Sequence, residues 1–242
     1  VIVVLSLFTT TQILFYYENI RYGTSVYAER AAIALVIMII QIIGGRVVPS
    51  FTRNWLKKQG SPVLPPAFGE FDRFVMVMSA AGLGAWIAFP AFDTKEPVLG
   101  LLLMAIGAFN LFRQWRWRPL QTFAEPLVFI LHLAFLPVSL GFVFAGYAAF
   151  TGNGGAESAA IYCWTVGAIG GMTLAIMTRA SRGHTGHTLT APPATVAIYL
   201  AIMIALVLRL VAAFNPNWTF TLMPLAGLAW VIAFAGFCIV YG

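Results

Sequence analysis

His132 lies in the run Phe129-Ile130-Leu131-His132-Leu133-Ala134-Phe135, two helical turns after Glu125-Pro126 and with no charged residue between. An ionisable side chain in so apolar a setting is costly in hydrocarbon, so it has to face other helices rather than lipid. Two roles suit it. A neutral imidazole can ligate haem iron or copper through one nitrogen while the other donates to a carbonyl or hydroxyl. It can equally make an interhelical hydrogen bond to a Ser or Thr. The residues alone leave both open.

A second cluster is Arg179-Ala180-Ser181-Arg182-Gly183-His184-Thr185-Gly186-His187. His184 and His187, three residues apart, have a spacing that can share a metal, and Met172 or Met177 upstream can offer a soft sulfur to Cu(I). The His-x-x-His pattern is weak by itself. Between basic residues the same stretch reads as a solvated turn, or as a nest of arginine and glycine for an anionic head group. Methionines in apolar runs also serve as packing. The run Arg113-Gln114-Trp115-Arg116-Trp117-Arg118 combines Trp with Arg in the manner of an interfacial anchor. No paired carboxylates occur inside an apolar run, which argues against a proton-coupled carrier, and no phosphate-binding loop, serine-hydrolase elbow or zinc-protease motif occurs.

The elements that must position these residues follow from composition. Of the 242 residues, 60% are hydrophobic and 9% charged, and the mean hydropathy is +0.88; a soluble domain carries about 25% charged residues. Apolar runs of about 17 to 25 residues alternate with short polar clusters, the length a helix needs to cross a core about 30 Å thick. The runs lack the alternation of barrel strands. The fold class is therefore all-α, a polytopic transmembrane helix bundle of about eight spans.

Spans are expected at 1–17, 27–49, from behind Glu70 and Asp72 to Phe89-Pro90, and from Glu96-Pro97 to Trp115. Four more follow: Glu125-Pro126 to Phe150, 158–179, Pro192-Pro193 to Asn215-Pro216, and 218–241. Proline and acidic residues suit helix N-termini. The stretch Arg46 to Arg73, with Ser61-Pro62 and Pro65-Pro66, is expected to be the main extramembrane loop. Loops two-three, four-five and six-seven hold ten of the fourteen Lys and Arg, which places both ends of the segment in the cytoplasm. Basic residues at helix ends suit lipid head groups, and argue against nucleic acid as a partner. Cys163 and Cys238 read as small core residues.

Ile43-Gly44-Gly45 precedes Thr52-Arg53 at the same distance as Ile169-Gly170-Gly171 precedes Thr178-Arg179. The recurrence predicts two parallel four-helix units, 1–120 and 121–242, within a single membrane domain. Small residues recurring wherever helices approach closely would give the same pattern. The chain opens inside an apolar run without an initiator Met or a signal-peptide pattern, and reads as a piece of a longer protein.

Three stretches resemble a known family: Gly44-Gly45-Arg46-Val47-Val48-Pro49-Ser50-Phe51-Thr52-Arg53-Asn54-Trp55-Leu56, Glu125-Pro126 through His132, and Met177-Thr178-Arg179-Ala180-Ser181-Arg182-Gly183-His184-Thr185-Gly186. They are similar to the NnrS family, over essentially the whole chain, which corresponds to the C-terminal two-thirds of a family member. The resemblance implies a bacterial inner-membrane protein containing haem and copper and linked to nitric oxide, denitrification and resistance to nitrosative stress. It raises His132 and His184 as metal ligands. Arg46, Arg53 and Arg179 become partners for haem propionates or for structural carbonyls. His187 stands where the family has an Arg, so the motif supports it less, and Met177 is likewise secondary. Family members carry about four further spans upstream with a His-rich motif, so some ligands are expected outside this chain.

The leading expectation is a haem- or copper-bearing membrane protein that binds or processes nitric oxide; the sequence shows no electron path that would separate binding from turnover. A transporter or permease of a small solute, and an accessory subunit packed into a larger respiratory or photosynthetic complex or oligomer, are the alternatives. Stoichiometric metal in the purified protein separates the first from the others.

Overall fold

A computed structural model describes residues 2–89 and 95–242. The described chain is helical throughout, with no strand. Eight helices follow in order: α1 (Ile2–Tyr22), α2 (Val26–Lys58), α3 (Glu70–Ala88), α4 (Pro97–Trp115), α5 (Pro126–Thr151), α6 (Gly154–His184), α7 (Pro193–Phe214) and α8 (Thr219–Tyr241). Seven stretches, from Val26–Lys58 to Pro216–Tyr241, are long and apolar enough to cross a membrane. The protein is thus a multi-pass helical bundle. Val1 and the Pro90 end of the third expected span lie outside the described residues.

Chemistry at the helix ends matches these bounds. Pro97, Pro126 and Pro193 each occupy a first helical turn, where a missing N–H costs nothing. Glu125 caps α5 by accepting from Leu127 N at 3.1 Å, and Asn153 caps α6 by accepting from Ala156 N at 2.9 Å. Glu18 of α1 accepts from Ala28 N at 3.1 Å in the first turn of α2.

One expectation is corrected here. Helix α2 does not end near Pro49 but runs 33 residues through it to Lys58, about 50 Å at 1.5 Å per residue. Proline removes one intrahelical bond, and a membrane helix tolerates that loss when neighbouring helices surround the site; Pro49 is buried. The irregular connection shrinks to residues 59–69, and Phe51 to Lys58 become a helical extension at the basic end of the bundle.

Helix α5 is the central element. Its neighbours are α4, α6 and α2, and sixteen of its residues are buried. The α4–α5 seam closes through glycine: a Cβ at Gly146 would sit 2.6 Å from the Gly100 carbonyl oxygen, and one at Gly100 2.8 Å from the Gly146 oxygen. Helix α6 widens to a π-helical stretch at Cys163–Gly170, where the Trp164 indole donates to Val138 O at 3.1 Å and packs on Trp86 and Phe142.

Candidate functional site

His132 is 1% exposed on the inner face of α5. Its Nε2 lies 2.7 Å from Thr52 Oγ1 of α2, and the Thr52 hydroxyl donates to Val48 O at 2.9 Å. A hydroxyl has one proton. With that proton on the Val48 carbonyl, Nε2 carries the ring hydrogen and donates to Thr52, leaving the lone pair on Nδ1. Nδ1 is buried and has no hydrogen-bond partner. Gln114 of α4 donates to the His132 carbonyl at 2.5 Å, so α2 and α4 together hold the residue. The imidazole borders a cleft of about 300 Å³ whose other walls include Gln114, Trp115, Phe123, Phe129 and Leu136. Such a largely apolar lining suits small apolar molecules.

An ion pair that sequence reasoning missed braces this region. Arg113, expected at the interface, is 0% exposed, and its Nε donates to Asp72 Oδ1 of α3 at 2.9 Å. Asp72 also accepts from Gly69 N at 3.1 Å. The guanidinium lies 5.2 Å from the Trp117 ring centre, and Trp117 meets Phe135 edge-on, one turn beyond His132. A Cβ at Gly45 would collide with this guanidinium, so glycine lets α2 pack against it. The anchor reading fails for Arg113 because its face of α4 is the buried one: Gly100, Leu103, Gly107, Asn110 and Gln114 recur at spacings of three and four, all buried. That period was the available signal. A second pair, Arg30 with Glu157 at 2.7 Å, lies beside Trp86.

The second cluster lies elsewhere. His184 ends α6 and is exposed, as is His187, whose Nδ1 sits 2.8 Å from Thr185 Oγ1. Arg179 stacks 4.1 Å over the Phe51 ring and, with His184, lines a cleft of about 700 Å³ between α2 and α6. Met177 lines an adjoining apolar cleft with Met172. Arg53 donates to the Pro65 carbonyl, and Arg46 stacks on Phe68, so both hold the 59–69 connection against α2. Cys163 is buried and Cys238 exposed; both are free.

The structure therefore places His132 and His184 in separate clefts. Among the described residues no group of three or more His, Cys, Asp or Glu is arranged to hold a metal. A haem iron asks the protein for as little as one axial nitrogen, and the unpartnered Nδ1 of His132 fits that requirement.

Comparison with known families decides what kind of protein carries this site. The family model for NnrS protein matches residues 1–242. The chain belongs to the NnrS family. No curated protein and no solved structure matches it. The three stretches that carry the NnrS resemblance converge in space. Thr52 of the first meets His132 of the second, Phe51 of the first meets Arg179 of the third, and Glu125 and Arg179 border one cleft.

Proposed function

We propose that this NnrS protein binds nitric oxide at a haem-bearing site inside the bundle, where the imidazole of His132 would hold the cofactor. The observation that carries the reading is the buried imidazole with one nitrogen held and the other unpartnered. Thr52 fixes the tautomer and orientation of the ring, as partners of metal-bound histidines do. Gln114 holds the backbone of the same residue, and aromatic side chains wall the cleft. Nitric oxide, small and apolar, reaches such a site through the bilayer. A ferrous haem, when bound, supplies an open coordination position for the gas.

None of Arg46, Arg53 and Arg179 borders the His132 cleft: Arg46 stacks on Phe68, Arg53 donates to the Pro65 carbonyl, and Arg179 stacks on Phe51 beside the cleft between α2 and α6. The excess of Lys and Arg in three alternate loops supports an orientation with both ends of the segment in the cytoplasm of a bacterial inner membrane. Family membership supports a role in nitric oxide metabolism or resistance to nitrosative stress.

The test is a reduced-minus-oxidised visible spectrum with metal analysis on the detergent-solubilised full-length protein, before and after nitric oxide. A Soret band shifted by the gas and lost in His132→Ala is the expected result. His184→Ala, altered in a different cleft, keeps the band. A colourless, metal-free protein, or an unchanged Soret band in His132→Ala, overturns the assignment.

A further inference from the structure

The clefts between α2 and α6 form one groove with two chemical halves. Its inner part, about 300 Å³, is walled by Val36, Ile39, Ile40, Ile169 and Met172; its outer part, about 700 Å³, reaches Lys57, Lys58 and Arg179. The two share Ile43, Val47 and Ile176, so the apolar wall is continuous. From Val36 to Phe51 it covers sixteen residues of α2, a rise of about 22 Å at 1.5 Å per residue, while one leaflet of hydrocarbon is about 15 Å deep. Ile43 is 56% exposed, so the groove is open along this side.

The cationic end is built rather than merely decorated. Arg179 is pinned by its stacking on Phe51, and its Nη1 is buried without a hydrogen-bond partner beside the groove. Lys57 and Lys58 are exposed in the last turn of α2, which extends past Pro49. The acid closest to hand, Glu125, borders the adjoining cleft and is engaged by Leu127 N and Ala191 N, both at 3.1 Å. Arg182 is committed to the Thr188 carbonyl at 2.9 and 3.1 Å. Three cations therefore line the groove mouth against the carboxylate of Glu125, which lies in the adjoining cleft and accepts both backbone bonds at one oxygen.

We infer that this groove binds one anionic phospholipid, with an acyl chain laid between α2 and α6 and the phosphate held by Arg179, Lys57 and Lys58. Free phosphate would use only the cationic end and would leave the apolar wall unused. A zwitterionic lipid would bring its own cation to a mouth that already holds three. The inference is independent of the haem reading, because His132 borders a different cleft on α4 and α5.

The experiment measures phospholipid retained by the full chain purified in mild detergent from bacterial membranes, by native mass spectrometry and lipid extraction. A single phosphatidylglycerol per chain, enriched over phosphatidylethanolamine, is expected. Each neutralised cation weakens retention about fivefold, so Lys58→Gln with Arg179→Gln lowers it about twenty-five-fold. Lys95→Gln, remote from the groove, leaves it unchanged. Gly183→Leu tests the same site without altering charge: a Cβ there meets only Leu189, at 3.9 Å, so the variant folds while its side chain obstructs the groove mouth, and it too loses the lipid.

Equal retention of both lipids, or unchanged retention in these variants, overturns the inference. So does displacement of the bound species by inorganic phosphate alone. Loss of a dimer in place of lipid would assign the groove to a second copy of the chain. Loss of the Soret band in Arg179→Gln with lipid intact would assign it to the cofactor. Each of these also overturns the inference. A protein without haem that still retains phosphatidylglycerol supports it, which separates it from the nitric oxide reading.

Discussion

Replacing Thr52 by Val tests whether His132 is held as the geometry requires. The substitution keeps the branched shape and removes only the hydroxyl, which lies 2.7 Å from His132 Nε2 in a contact where neither residue is more than 1% exposed. Interhelical hydrogen bonds in membrane bundles contribute about 0.6 kcal/mol on average and up to about 1.7. An N–H left buried and unsatisfied costs about 1–3 kcal/mol. Thr52→Val should therefore lose about 1–2 kcal/mol, and His132→Leu, which leaves the Thr52 hydroxyl still donating to the Val48 carbonyl, about 0.6 kcal/mol from this contact. The double variant leaves neither group unsatisfied, so its loss should fall short of the sum by about 1 kcal/mol. The assay is reversible unfolding of the full chain in mixed detergent, with Thr52→Ser as the control that retains the hydroxyl. Single losses that add to within about 0.3 kcal/mol, or a Thr52→Ser loss equal to that of Thr52→Val, would refute the pairing. In haem-loaded protein the same Thr52→Val change should lower cofactor affinity at least about tenfold, as loss of a ligand-orienting partner does elsewhere.

Asp72→Ala leaves the guanidinium of Arg113 buried without its carboxylate and should cost about 3–5 kcal/mol; adding Arg113→Met should recover most of it, and unfolding midpoints of the two proteins check this. Gly146→Leu brings a Cβ to 2.6 Å from the Gly100 carbonyl oxygen and 2.7 Å from the Met104 backbone nitrogen, so α4 and α5 must separate, at about 1–3 kcal/mol. His187→Ala, in an exposed turn, should change stability by no more than about 0.5 kcal/mol; a larger loss would show that the turn packs against something other than solvent.

The architecture was legible in the amino-acid sequence because the bilayer imposes a simple condition. Every backbone polar group in hydrocarbon must be paired within its own helix, so apolar runs of a set length declare the spans, and Pro97, Pro126 and Pro193 declare their starts. Pro49 misled for the converse reason. A proline stops a helix only where nothing else stabilises it, and the packing that carries α2 through to Lys58 comes from residues far away in the chain.

The site divides along the same line. That His132 must face the interior followed from its type and its neighbours, since a lone imidazole in lipid is too costly. That Thr52 holds it, that Gln114 secures its carbonyl, and that Asp72 neutralises Arg113 were decided by the tertiary structure. Those contacts join residues 80, 18 and 41 positions apart, and periodicity reports which face of a helix is buried without reporting what lies opposite. The histidines at 184 and 187 show the same division: their spacing is local in the sequence, while the tertiary structure decides that α6 ends between them and leaves both exposed. Local sequence determined where helices form and which residues cannot face lipid; the register between helices, set by glycine seams such as Gly100 with Gly146, determined which of those residues meet.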